Sequence, residues 1–236
     1  WRRLTLLAPA PVLALCLFLA FSVTAYAAIR LLTAPEAARK ISFEAMAQAF
    51  EDEDALSIQE TQQSRSFDIT LLGITYGSSL REYLGEPSIP ADSAYALVAL
   101  SRSDGSPMPA PTSRTGENQV PDLFMTFLAP GYAPDDDNPL NQTTGMIRMY
   151  QDGVYYQTVE CTALYDYGRD GFYLSVNEGI HCEQSAYRYD EATGRIALNE
   201  DYDSIHALFE ISLSEALLEK FSAHPAGPSP YDRDLT

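Results

Sequence analysis

Apolar residues along the chain fall into one long uncharged run, one helix-like stripe and a series of short runs with strand-like alternation. Residues 4–29 contain no charge, 26 positions against the roughly 20 needed to cross a hydrocarbon core. Pro9 and Pro11 interrupt the first third of the run, leaving Val12 to Ile29 as the continuous helical part, roughly 27 Å at 1.5 Å per residue. Thr33-Ala34-Pro35-Glu36 then has the spacing of a capping box, with proline tolerated in the first turn. Phe43, Met46, Ala47 and Phe50 recur at i, i+3, i+4 and i+7 and predict one apolar helix face docked on a sheet. The acidic cluster Glu51-Asp52-Glu53-Asp54 opposes the helix dipole and predicts its end.

Beyond Asp54 the pattern is that of strands. Phe67, Ile69 and Leu71 alternate with polar residues, whereas "AYALVAL" (94–100) and "LFMTFL" (123–128) are apolar on both faces and predict buried strands, the first of them central. Asp152-Gly153, Asp170-Gly171 and Thr193-Gly194 supply turns before "VYYQTVEC", before "FYLSV", and between "AYRYD" and "RIAL". "HALFEISL" predicts a last strand, and Ser212-x-x-Glu215 a second capping box opening a short helix through Phe221. Residues 102–121 and 129–145 are rich in Pro, Gly and polar residues and read as loops.

The predicted fold class is therefore α+β, mostly β. An N-terminal transmembrane helix precedes one β-rich domain, sandwich-like or a single antiparallel sheet, with one or two short helices. Residues 1–31 form a membrane anchor or signal peptide, residues 32–221 the extracytoplasmic β-rich domain, and residues 222–236 a disordered tail.

Charge decides the orientation. Every acidic residue lies at or after Glu36, so residues 34–236 hold 12 basic against 33 acidic residues, a net −21, while Arg2 and Arg3 precede the uncharged run. The positive-inside rule predicts N-in and the bulk of the chain outside, with Arg30 and Tyr26 at the outer interface. An exterior so acidic repels phosphate backbones and excludes nucleic acid as a partner. A rival reading uses the same segment. Ala25-Tyr26-Ala27 before Ala28 fits a signal-peptidase site, and cleavage after Ala27 would release a secreted structural or adhesive module. The length of the run and the start at Trp1 instead of Met favour the uncleaved anchor, with a cytoplasmic segment upstream.

Candidate chemistry is thin. Zinc spacings are missing, and His181, His206 and His224 are isolated; His181-Cys182-Glu183 would alternate faces on a strand. Asp135-Asp136-Asp137-Asn138 with Asn141 is the best cation candidate, yet it lacks the central glycine and terminal glutamate of a calcium loop and reads as a solvated acidic loop. Cys161 and Cys182 are either a disulfide closing a loop of about 20 residues, worth about 3 kcal/mol, or two free thiols. No nucleophile elbow, P-loop or dinucleotide fingerprint occurs, so no catalytic, cofactor-binding or metal residue is assigned and no enzymatic activity or cofactor is expected.

The order "RRLTLLA…VTAYAAIRLLTAPEAA", "AFEDEDA", "FDITLLGITYGSSL", "YALVALSRSDGSPMP", "QDGVYYQTVEC" and "AYRYDEATGRIALNEDYDSIHALFEISL" resembles uncharacterised membrane-anchored proteins of anaerobic gut bacteria, some of them similar to anti-sigma factors. The likeness covers nearly the whole chain and rests on turns, strands and the span. It implies a cytoplasmic N-terminal segment, one membrane span and an extracytoplasmic β-domain of unknown function. The implied partners are the bilayer, through the N-terminal helix, and a sigma factor, through the cytoplasmic segment.

Overall fold

The structure is a computed structural model that describes residues 30–111, 120–141, 147–162, 164–215 and 217–219. The uncharged run, its cleavage motif and residues 222–236 lie outside the described residues, as do residues 112–119 in the first long loop and 142–146 at the end of the second. Among the described residues no helix is long and apolar enough to cross a membrane.

The N-terminal capping box forms as the sequence predicts. Glu36 Oε2 accepts the Thr33 N–H at 2.9 Å and Thr33 Oγ1 accepts the Glu36 N–H at 3.4 Å, opening α1 (Ala34–Lys40). These hydrogen bonds, above all to the Thr33 backbone, hold the Glu36 carboxyl below its ordinary pKa. The predicted single helix is broken in two. Ser42 turns left-handed (φ 61°), and the N–H groups of Ser42 and Phe43 bond the carbonyls of Arg39 and Ala38, the paired bonds of a Schellman ending with serine in the place usually held by glycine. α2 (Glu44–Glu51) follows and stops at the acidic cluster. Its Met46, Ala47 and Phe50 are buried as their spacing requires, with Phe43 half-buried at the N-cap.

Among the described residues ten strands form three sheets: β1 (Leu56–Ser64), β2 (Phe67–Tyr76), β3 (Ala94–Arg102), β4 (Leu123–Leu128), β5 (Arg148–Gln151), β6 (Val154–Cys161), β7 (Phe172–Glu178), β8 (Tyr187–Asp190), β9 (Arg195–Leu198) and β10 (His206–Ile211). A five-stranded antiparallel sheet runs β1-β2-β3-β6-β5 and a three-stranded one β10-β7-β4, while β8 and β9 form a separate hairpin. Ile69, Leu71 and Val98 of the larger sheet pack against Phe127, Leu174 and Phe209 of the smaller, so the domain is the sandwich alternative. The sandwich is covered on both outer faces. α1 and α2 lie on Leu72, Leu97 and Tyr156, and the β8–β9 hairpin sets Tyr187 and Ile196 against Leu128 and Tyr173. Burial on both faces accounts for the apolar runs of β3, the middle strand of the larger sheet, and of β4, which is nonetheless an edge strand.

Several elements depart from expectation. Helices number four among the described residues, with α3 (Gly77–Leu84) and the single turn α4 (Leu164–Tyr167) added. Gly77 opens α3 because a side chain there would collide with the Pro90 carbonyl. The turn after β10 is capped by Ser214, not Ser212: Ser214 Oγ accepts the Leu217 N–H at 3.2 Å. β1 and β5 carry no pattern that predicts them. The first long loop also contributes to the core, since Met108 is buried and its carbonyl accepts the Tyr150 hydroxyl at 2.9 Å.

Candidate functional site

The larger sheet has two more strands than the smaller, and at one side its edge strand β1 lies along the free edge of β10. In the β1–β2 register Glu60, Gln62 and Ser64 stand opposite Leu71, Ile69 and Phe67. Cross-strand partners project to one face. Because Ile69 and Leu71 belong to the inter-sheet core, these three polar side chains also point inward, toward β10.

Two of them close the seam. The Gln62 amide meets Leu208 twice, Nε2 donating to the Leu208 carbonyl at 2.7 Å and Oε1 accepting the Leu208 N–H at 3.0 Å. Ser64 Oγ accepts the His206 N–H at 2.9 Å. A side-chain amide offers one donor and one acceptor, as a peptide group does, so Gln62 stands where a neighbouring strand would otherwise pair. These bonds also fix the polarity of β10. Backbone groups of alternate residues in an antiparallel ladder point to opposite sides, so His206, Leu208 and Glu210 direct theirs at the free edge while Ala207, Phe209 and Ile211 bond β7.

The pairs Ser64–His206 and Gln62–Leu208 step two residues along each strand in opposite directions, which places Glu60 beside Glu210 at the next rung. Here the closure fails. A carboxylate has no donor for a carbonyl. Glu60 Oε1 instead accepts from Gln62 Nε2 at 3.0 Å, and among the described residues neither backbone group of Glu210 has a partner. β1 also changes register at this point. The shift between Ser57 and Glu60 leaves Ile58 and Gln59 out of the ladder, and Gln59 adopts φ 54°. The strand bends, and a cavity of about 320 Å³ opens between the two edges. Leu56, Ile58, Leu71, Phe209 and Ile211 line it, Glu60 and Glu210 stand at its rim, and Ser212 marks its end. That volume lies at the lower end of ligand-pocket sizes, ~300–1,000 Å³. A second cavity, between Val98, Met125 and Tyr155, holds about 10 Å³ and has room for no more than one water.

Elsewhere the candidate residues serve the fold. Asn138 is buried, its Oδ1 accepting the N–H groups of Ala129 (2.8 Å) and Leu140 (3.2 Å) and its Nδ2 donating to the carbonyls of Ala129 and Ala133. Asp135 Oδ1 accepts the Asp137 N–H at 3.0 Å, and Asn141 Nδ2 donates to the Asp135 carbonyl. The acidic loop is thus held by its own backbone bonds. No group of three or more His, Cys, Asp or Glu able to hold a metal occurs among the described residues. His181 and Glu183 are 3.8 Å apart in an exposed loop, not on a strand. Cys161 and Cys182 are both free and buried in different layers, Cys161 in the inter-sheet core and Cys182 beneath the β8–β9 hairpin. Burial pushes both thiols up, Cys182 to about 12, so neither is a thiolate at neutral pH. Asp92 is buried beside β3, and burial, with the Asp166 charge adding to it, raises its carboxyl above the ordinary range.

The seam was not visible in the sequence because β1 was not. Leu56, Ile58, Glu60, Gln62 and Ser64 fall at every second position of "LSIQETQQS", apolar at the start of the row and polar from Glu60 on, so no apolar alternation runs the length of the strand. Compared with protein families, curated proteins and solved structures, the chain has no match in any of the three.

Proposed function

We propose that the chain is a single-pass, N-in membrane protein whose extracytoplasmic sandwich binds a ligand at the β1–β10 seam, as the sensing domain of an anti-sigma-type transmembrane regulator. The observation that carries this reading is how little chain separates the uncharged run from the folded domain. The run ends at Ile29, Leu31 and Leu32 pack against the helical layer, and the Leu32 N–H donates to the Tyr156 hydroxyl on β6 at 3.0 Å. A span joined to the sheet with one intervening residue transmits displacement, where a long linker would absorb it. The acidic exterior on the far side of the run from Arg2 and Arg3 and the resemblance to anti-sigma-like membrane proteins support the same assignment.

The rival, a module released by cleavage after Ala27, draws on Ala25-Tyr26-Ala27 and would leave three residues ahead of Leu31. Alkaline carbonate extraction of membranes, with protease added from outside, separates the two. The anchored form stays in the pellet and loses its sandwich to external protease. A soluble product beginning at Ala28 would overturn the anchor and leave the secreted module.

A further inference from the structure

We propose that the open half of the β1–β10 seam captures a short extended peptide, which adds as a fourth strand to the edge of β10. The proposal rests on the reading of the seam as the binding site and names what it takes.

Three features of the seam select this ligand. The first is the unmet hydrogen bonding. Among the described residues the N–H and C=O of Glu210 have no partner and turn to the edge of β10 that borders the cavity, and such a pair is matched by one residue of a neighbouring strand. The protein itself supplies the comparison, because two residues earlier Gln62 makes the equivalent pair of bonds to Leu208. A peptide would do at Glu210 what the glutamine does at Leu208. The second feature is shape. Sequential β10 positions 206 and 208 are already covered, so an added strand can pair only from Glu210 onward, over the three residues Glu210 to Ser212 that border the cavity. Alternate side chains of that strand face inward, onto Leu56, Ile58 and Leu71, where apolar groups fit. The third is charge. Outward-facing side chains lie next to the Glu210 carboxylate, which projects away from the core and reaches Arg195 at 3.3 Å in an exposed pair, and Glu60 stands across the cavity. With a net −21 over residues 34–236, this rim selects Lys or Arg at the outward positions and rejects acidic peptides.

The ligand class is therefore an extended segment of a partner protein with alternating apolar and basic residues. A small metabolite would leave the strand edge unpaired, and a second copy of this chain would bring Glu60 and Glu210 against their own like charges.

Fluorescence anisotropy on the full-length chain in detergent micelles tests this with a labelled Lys-Val-Lys-Val-Lys-Val hexapeptide. Saturable binding is expected. Methylating alternate backbone nitrogens of the same peptide, in the register that faces β10, should weaken it roughly three- to tenfold, since the N–H that donates to the Glu210 carbonyl is lost. Glu-Val-Glu-Val-Glu-Val should not bind. Glu60→Gln should weaken the hexapeptide by a similar factor, because a glutamine there can close over Glu210 as Gln62 closes over Leu208; its circular dichroism and melting temperature show that the fold is kept. Equal affinity for the methylated peptide, equal affinity for the acidic one, indifference to Glu60→Gln, no binding at all, or a dimer in sedimentation that involves the seam would each overturn the proposal. Membrane extraction is independent of these outcomes, so a failed anchor and a failed peptide site are told apart.

Discussion

The two halves of the β1–β10 seam are built from the same pair of strands and differ in one functional group. In the closed half an amide and a hydroxyl reach the free edge of β10 and satisfy it; in the open half a carboxylate occupies the corresponding place and cannot. Replacing an amide nitrogen by an oxygen removes the only donor, and the adjoining register shift takes Ile58 and Gln59 out of the β1–β2 ladder. Edge strands expose a row of hydrogen-bonding groups that proteins cover or blunt. A protein that covers two rungs and leaves the third open over apolar walls has limited the exposure to a few residues.

The largest effect should come from the floor common to both halves. Phe209 is fully buried between the sheets, and Phe209→Ala should cost about 3–5 kcal/mol, a fall of roughly 10 °C in melting temperature that abolishes the distinction between the halves. Next comes the closed half alone. Gln62→Ala should cost about 1–3 kcal/mol by stranding both backbone groups of Leu208, and should extend peptide capture toward the N-terminus of β10. Chemical denaturation with parallel anisotropy titrations checks both effects. Converting the open half into the closed one has the opposite sign: Glu60→Gln should stabilise by about 0.5–1.5 kcal/mol, with the gain lost if Gln62 is removed as well.

The smallest effect concerns a buried carboxyl inside the fold. Asp92 has a raised folded-state pKa, chiefly from burial. An acid so shifted disfavours the folded state when ionised, and this cost is present at neutral pH and relieved as pH falls through the folded and then the unfolded pKa. Asp92→Asn should raise the melting temperature at pH 7, with a difference from the parent that shrinks on acidification. A difference that grows instead would mean that the carboxylate is stabilising.

Much of the fold was legible because burial writes itself into periodicity. β3 and β4 are apolar on both faces, and their strands could be read directly; the Thr33 cap and the Asp-Gly turns were equally plain. Failures came where tertiary contact replaces local pattern. The break between α1 and α2 depends on Ser42 in a conformation normally given to glycine, and α3 follows a contact between Gly77 and Pro90 that lies 13 residues away. β1 escaped for the reason that makes it interesting. Its inward face is polar from Glu60 to Ser64 because it meets a strand edge and not a hydrophobic layer, so the usual alternation vanishes at the candidate site.

Residue-resolved amide exchange of the full-length chain, followed by NMR with and without the Lys-Val hexapeptide, tests the central claim most directly. In the free protein the His206 and Leu208 amides should be protected and the Glu210 amide should exchange rapidly, and peptide should protect Glu210 while leaving the other two unchanged. Protection of Glu210 in the free protein, or exchange at Glu210 that saturating peptide leaves unaltered, would contradict an open strand edge that accepts a partner.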